Sequence, residues 1–160
     1  MGVSGCGKSD VGQRLATAMK VPFIEGDLWH SAANVAKMAA GIPLTDADRA
    51  GWLATLREKI AAARVADEAI VLSCSALKRQ YRDILRAGDP NLFFVELDGP
   101  RELIEQRMGA RTGHFMPTSL LDSQFRDLEP LQPDEHGLRT DISGTLDAIT
   151  QTILAATTDR

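Results

Sequence analysis

The chain has 160 residues, 44% of them hydrophobic and 25% charged, with a formal net charge of −4. A chain of this length and composition forms one globular domain, which excludes a disordered or collagen-like protein, and its acidic balance argues against a nucleic-acid partner. No apolar run approaches the roughly 20 residues that span a bilayer, so we expect no membrane partner either.

Hydrophobic spacing predicts strands that alternate with helices along the chain. The predicted helices cover residues 11–19, 45–63, 77–85, 103–108 and about 144–156. The predicted strands are residues 21–25, 69–74, 92–97 and, from a weaker pattern, 140–143. The second and third strands are nearly continuous apolar runs, which is typical of parallel strands covered on both faces. We therefore predict an α/β fold, a three-layer sandwich with a parallel sheet, in a single domain over residues 1–160.

The N-terminal residues carry the strongest motif in the chain. They match the phosphate-binding pattern G-x-x-x-x-G-K-[ST] in full, as Gly2, Val3, Ser4, Gly5, Cys6, Gly7, Lys8 and Ser9. Glycines let successive backbone N–H groups point inward around an anion, and a helix that starts near Lys8 adds the positive end of its dipole. Lys8 can reach the β- and γ-phosphates of a nucleotide, and the Ser9 hydroxyl can ligate Mg²⁺. The motif therefore predicts a P-loop.

The residues ahead of the P-loop depart from the usual pattern. A P-loop normally follows a strand, yet only Met1 precedes Gly2, so the first strand is apparently missing. We expect either a recorded start that is too late or a truncated product. We favour the late start, because the first residues read as a strand–loop junction.

Two carboxylates follow the predicted strand at 21–25. Glu25 and Asp27 are two residues apart, so on an extended backbone both would project to one side, at the edge where parallel strands face a ligand crevice. Glu25 can hold Mg²⁺, directly or through water, and Asp27 can accept a proton from an attacking substrate hydroxyl. His30 is close enough to add a hydrogen bond to a polar substrate. The alternative is a turn with solvated acids that cap a helix.

With these motifs in place, the chain resembles the gluconokinases, small P-loop kinases related in fold to shikimate and adenylate kinases. The matching blocks are the P-loop and residues 26–30, 34–49, 52–53, 74–78, 81–83, 113–116, 123–125 and 128–130. The resemblance implies a P-loop nucleoside triphosphate hydrolase-like kinase fold and ATP-dependent phosphorylation of D-gluconate to 6-phosphogluconate, at the entry to pentose phosphate or Entner–Doudoroff metabolism. It also implies ATP with Mg²⁺ as cofactors and a homodimer.

The resemblance also assigns roles to single residues. Asp27 and His30 match the substrate end of the family's site, with Asp27 as the base. Arg49 matches a substrate-side cation, which suits the carboxylate of gluconate, although a pair with an acid in its own helical turn is the alternative. Ser75, at the end of a predicted strand, and Arg82, on the following helix, are further candidate substrate contacts.

Residues about 107–130 resemble the mobile lid of the small kinases. Arg107 and Arg111 are four residues apart and share a helix face, so lid closure over ATP would bring both onto the transferring phosphoryl group. His114 and Gln124 would touch gluconate in the closed state. The alternative for each arginine is a surface salt bridge.

Two other functions stay open at this point. Another small-metabolite kinase, such as a shikimate kinase, would share the P-loop, but residues 37–38 and 113–115 speak against it. A nucleotide-binding module without turnover gains weight from the absent first strand. Cys6 and Cys74 are too few for a disulfide scaffold, which predicts a cytoplasmic protein.

Overall fold

The computed structural model describes residues 1–109 and 118–158, which form four short strands and seven helices within these ranges. The strands are β1 (Phe23–Glu25), β2 (Val71–Ser73), β3 (Phe94–Asp98) and β4 (Gly137–Asp141). The helices are α1 (Lys8–Met19), α2 (Ala32–Ala39), α3 (Asp46–Val65), α4 (Arg79–Arg86), α5 (Arg101–Gly109), α6 (Thr118–Asp127) and α7 (Leu146–Thr158). A 3-10 turn (Gly26–Trp29) follows β1 directly.

The strands pair in parallel, as predicted, but in two separate pairs. Strand β1 pairs with β2, and β3 pairs with β4. The first residues of the chain lie between the pairs: the Met1 carbonyl accepts a hydrogen bond from Leu97 N at 2.9 Å, and Gly2 N donates to the Ser75 carbonyl at 3.1 Å. The strand expected ahead of the P-loop is not present among the described residues. A largely apolar cavity of about 230 Å³ lies between β2 and β3.

Strand β3 shows why the fold has three layers. Phe94 packs into a core formed mainly by α3 and α4, whereas Leu97, on the other face, packs with α1, α5 and α7. Successive side chains of a strand point to opposite faces, so apolar residues at both positions require helices on both sides. The predicted α/β sandwich is therefore confirmed. Among the described residues, no helix combines the length and apolar character needed to cross a membrane.

Element boundaries differ from the prediction where local chemistry outweighs apolar spacing. Helix α3 begins at Asp46 because the Thr45 hydroxyl and the Asp48 carboxylate each bond the other's backbone N–H, a capping box. Helix α4 begins only at Arg79, since Lys78 is extended, with φ −99° and ψ 148°. Strand β4 begins at Gly137, three residues before the strand predicted at 140–143, and Met19, at the end of the helix predicted at 11–19, is exposed.

Candidate active site

The P-loop wraps around the N-terminus of α1. Gly5 and Gly7 have φ values of 80° and 93°, which glycine adopts without strain, and Gly7 is the residue immediately before the helix. No described atom lies within 4 Å of the position that a Gly7 Cβ would take, so there is room beside the helix N-terminus. The Lys8 ammonium folds back over the loop and donates to the Val3 carbonyl at 2.9 Å. Ser9 is exposed on the first turn.

Buried contacts hold the loop from below and from the side. Val3 and Cys6 are buried in the core, so these two residues support the loop through their side chains. Helix α5 covers Gly5 so closely that a Cβ there would lie 2.5 Å from the Met108 Cγ. Gln124 of α6 accepts a hydrogen bond from Ser4 N at 2.6 Å. The predicted substrate residue Gln124 thus contacts the phosphate-binding loop.

The carboxylates after β1 do not project side by side, which corrects the sequence prediction. The extended backbone ends at Glu25, because residues from Gly26 onward form the 3-10 turn. Glu25 accepts a hydrogen bond from the Ser73 hydroxyl on the neighbouring strand. Asp27 is exposed on the turn. Of the two carboxylates, Asp27 is therefore the one that faces solvent freely.

The environment of Cys74 shows that Asp27 and Lys8 share one neighbourhood. Burial raises the pKa of the Cys74 thiol to about 12; the Asp27 charge raises this pKa further, and the Lys8 charge lowers it. Both charges therefore act on the Cys74 thiol, just after the end of β2. The thiol stays protonated and packs as a small apolar side chain.

His30 lies in the same crevice, stacked on Trp52. The two rings are 4.2 Å apart and nearly parallel, and the Trp52 indole N–H donates to the Gly26 carbonyl at 2.8 Å. Burial lowers the pKa of His30, the nearby Arg49 charge lowers it further, and Asp27 opposes this shift. The imidazole is therefore a neutral hydrogen-bonding group at pH 7.

Arg49 is buried at the first turn of α3 and forms no ion pair with the acids of that turn. Its Nη1 donates to the Leu44 carbonyl at 2.8 Å and to the Tyr81 hydroxyl at 3.2 Å. Its ion pair with Asp127 of α6 is long, at 3.8 Å. The acids of the turn bind lysines instead, Asp46 with Lys78 and Asp48 with Lys37. The intrahelical pair considered from the sequence does not form.

Arg82 does not reach the crevice, contrary to the sequence prediction. Its side chain is fully buried and forms two hydrogen bonds with Glu135, at 2.7 and 2.6 Å. Its Nη1 donates to backbone carbonyls, including those of Ala76 and Glu129. Every nitrogen of the guanidinium is therefore engaged within the protein, so Arg82 stabilises the loops beside the crevice and does not bind substrate. Ser75 stays near the P-loop, where its carbonyl binds Gly2 N.

The predicted lid can be traced only in part. Arg107, on α5, donates to the Ile142 carbonyl at 2.7 Å, next to the end of β4. Arg111 and His114 lie outside the described residues. In the part of the chain that the structure describes, no three His, Cys, Asp or Glu side chains form a group that could hold a metal.

Comparison with known proteins places this site in a family. A family model described as shikimate kinase matches residues 4–114. The thermosensitive gluconokinase of Escherichia coli (strain K12) is 46% identical over 152 residues, which cover 94% of this chain and 81% of that protein. The chain belongs to the gluconokinase family.

Solved structures of family members agree with this assignment. A sugar kinase from Janibacter sp. HTCC2649 is 46% identical, with a TM-score of 0.93 over 97% of this chain and 90% of that one. A gluconokinase from Sinorhizobium meliloti 1021 is 44% identical, with a TM-score of 0.88 over 99% and 89% of the two chains. The resemblance inferred from the sequence blocks is thus confirmed.

The structure adds crevice residues that the sequence analysis did not assign. Lys78, Tyr81 and Asp127 surround Arg49, and Trp52 carries His30. Residues 78–86 contain four cations, Lys78, Arg79, Arg82 and Arg86, and this cationic run is a usable sequence signal for Lys78. Asp127 comes from the far end of α6, and neither periodicity nor a motif indicated its position.

Proposed function

We propose that this chain is an ATP-dependent gluconokinase, which transfers the γ-phosphoryl group of ATP to D-gluconate and gives 6-phosphogluconate and ADP. The observation that carries the proposal is a complete P-loop, with Lys8 folded over it, in a member of the gluconokinase family in which Asp27 and Arg49 both lie close enough to His30 to shift its pKa. Lys8, Asp27 and Arg49 suit the triphosphate, the attacking hydroxyl and the acid group of such a substrate.

Phosphoryl transfer needs positioning and charge more than covalent chemistry from the protein. The P-loop amides and Lys8 hold the triphosphate and neutralise charge on the leaving ADP. Asp27 accepts the proton of the substrate hydroxyl. The hydroxyl oxygen forms a bond to the γ-phosphorus, while the bond between the γ-phosphorus and the bridging oxygen that leaves with ADP breaks. Because Asp27 is exposed on the turn after β1, its carboxylate is accessible to the substrate hydroxyl in this step.

Mg²⁺ belongs to the proposal as the usual partner of bound ATP. The residues present fit it: the exposed Ser9 hydroxyl, on the turn after the P-loop, would be its protein ligand. Glu25, which we predicted as a second ligand, already accepts the Ser73 hydroxyl and would act through water. When bound, the ion supplies neutralisation of the phosphate charge.

The remaining predictions concern the lid and the assembly. We propose that residues 107–130 close over ATP, with Arg107 and Arg111 near the phosphoryl group and His114 and Gln124 on the substrate side. A homodimer and a cytoplasmic location complete the proposal; the two cysteines are free thiols, which suits a reducing compartment.

A coupled ADP-release assay with ATP, Mg²⁺ and either D-gluconate or shikimate tests the function. We expect turnover with gluconate and none with shikimate, although the matching family model is described as shikimate kinase. Lys8→Ala should abolish most turnover while the far-ultraviolet circular dichroism stays unchanged. Lys20→Asn, at an exposed left-handed position, is the matched control and should keep full activity. Turnover with shikimate alone would refute the assignment.

A further inference from the structure

We propose that Lys78 and Arg49 together form the subsite for the substrate carboxylate, and that Asp127 occupies this subsite as an internal counter-ion when no substrate is bound. The inference rests on the proposed function and deepens it. It names a second cation, and a carboxylate that the sugar acid must displace.

Lys78 and Arg49 both lie near the ring of Tyr81. The Arg49 guanidinium carbon lies 5.5 Å from the centre of the Tyr81 ring, and the Lys78 ammonium lies 5.6 Å from it. The Tyr81 hydroxyl accepts from Arg49 and donates to Asp46, and Asp46 accepts from Lys78 at 2.9 Å. One chain of hydrogen bonds therefore fixes both cations.

Both cations keep their charge at neutral pH. The hydrogen bond to Asp46 raises the pKa of Lys78, and bonds from Tyr81 and Lys78 lower the pKa of Asp46 to about 2. A guanidinium stays protonated in any protein environment. The pair therefore presents two positive charges, of which Asp46 compensates one.

Asp127 lies between the two cations at distances that indicate weak binding. Its Oδ2 is 3.8 Å from Arg49 Nη1, and its Oδ1 is 4.0 Å from Lys78 Nζ. Each carboxylate oxygen thus faces one cation, and neither forms a hydrogen bond of normal length. A third of the Asp127 side chain is exposed, so the position that it takes is open to solvent.

A carboxylate that spans two cations without close contact marks a place where another carboxylate can bind better. Asp46 and Asp127 already balance Arg49 and Lys78, so a bound sugar acid adds one negative charge unless Asp127 withdraws. Arg49 and Asp27 both lie close enough to His30 to shift its pKa, so an acid group bound at Arg49 would lie in the same crevice as Asp27.

The test compares Michaelis constants for gluconate in four variants, with the Michaelis constant for ATP, kcat and the melting temperature measured in parallel. Lys78→Met should raise the Michaelis constant for gluconate about tenfold, the effect of one charged hydrogen bond. Lys78→Arg, which keeps the positive charge, should leave the Michaelis constant for gluconate close to that of the unaltered chain. Asp127→Asn should lower this constant about threefold, since a weak competing charge is removed. Arg79→Met, at a neighbour that pairs with Asp134, is the matched control and should change nothing.

The opposite shifts at Lys78 and Asp127 separate this proposal from a general loss of structure, because a damaged site cannot bind substrate more tightly. An increase of the Michaelis constant for gluconate in Asp127→Asn, or no change of this constant in Lys78→Met, would overturn the subsite.

A failure of the proposed function can be distinguished from a failure of the subsite. If the unaltered chain binds gluconate without turnover, calorimetric dissociation constants in the same variants replace the Michaelis constants; if it binds no gluconate, both proposals are wrong.

Discussion

At the scale of single residues, Asp27 depends on a glycine for its position. A Cβ on Gly26 would lie 2.1 Å from the Ser73 carbonyl oxygen, so only glycine lets β1 approach β2 at this point. The 3-10 turn then begins at once and presents Asp27 at the rim of the crevice. The turn thus presents a solvent-facing carboxylate, which the proposed mechanism uses as its base.

Asp27→Asn should lower kcat about a hundredfold or more, because the amide cannot accept the proton of the attacking hydroxyl. The dissociation constant for ATP should change far less. Single-turnover kinetics measures the rate of phosphoryl transfer, and nucleotide titration measures the dissociation constant. Asp67→Asn is the matched control, since Asp67 lies in a left-handed turn after α3 that asparagine also adopts. An unchanged kcat in Asp27→Asn would remove this residue as the base.

His30 should titrate below its ordinary value of 6.5, because its half-buried ring is costly to charge. The folded state then binds this proton less tightly than the unfolded state, so acidification through pH 6.5 should lower stability through this residue. Nuclear magnetic resonance titration of the imidazole, assigned with His30→Asn, measures the midpoint. A midpoint at or above that of a free imidazole would contradict the prediction.

The first turn of α3 shows what residue types alone can and cannot predict. The acids and the arginine at positions 46 to 49 were recognisable from the sequence, and so was the Thr45 cap. Their partners were not, because Lys37 lies on α2 and Lys78 lies just before α4. Proximity along the chain suggested a local pair as the alternative for Arg49, whereas in the structure each acid of this turn pairs with a lysine from another part of the chain.

At the scale of elements, α4 turns an apparent cationic patch into a largely structural helix. Arg79 pairs with Asp134, Arg82 with Glu135, and Arg86 with both Asp83 and Glu135. Within this run Lys78, just before the helix, is the cation that faces the crevice. The run is visible in the sequence, but two of its three compensating acids, Asp134 and Glu135, lie about 50 residues away and follow no periodicity.

Glu135→Gln should destabilise the fold by about 3 kcal/mol, since it leaves the fully buried Arg82 without its counter-charge. Denaturant unfolding measures this change. Asp134→Asn is the matched control: its pair with Arg79 is exposed, so the unfolding midpoint should stay close to that of the unaltered chain. Equal midpoints for both variants would show that the buried pair is dispensable.

Helices α2 and α6 illustrate a further limit of prediction at this scale. Helix α2 has eight residues, half of them alanine, so apolar spacing defines no face, and its start depends on the Ser31 cap. Residues of α6 were assigned to a lid from resemblance. In the described part of this segment, Leu121 packs into the core and Gln124 contacts the P-loop, and apolar spacing indicated neither contact.

At the scale of the whole molecule, a cavity between β2 and β3 interrupts the packing of the core. Val71 and Ser73 face β1, so by the alternation of a parallel ladder the backbone groups of Leu72 point into the cavity. On the other side, Met1 makes a ladder contact with β3, and burial lowers the pKa of its amino group. A charged terminus at an apolar cavity is unfavourable.

An extension of about five valine and isoleucine residues ahead of Met1 should raise the melting temperature by roughly 5 °C, because it fills the cavity, pairs both strand edges and converts the buried amine into an amide. A glycine–serine extension of equal length is the matched control and should have no such effect. Calorimetry, with size-exclusion chromatography to exclude aggregation, compares the two. Equal melting temperatures would show that the added valine and isoleucine residues do not form a strand between β2 and β3.

Helix α6 has one more consequence. Gln124 and Asp127 are three residues apart on this helix; one contacts the nucleotide loop, and the other balances the cations proposed for the sugar acid. A rigid helix that touches both ligand sites makes their binding energies interdependent. Thermodynamic reciprocity then requires that the acid changes the affinity for ATP by the same factor by which ATP changes the affinity for the acid.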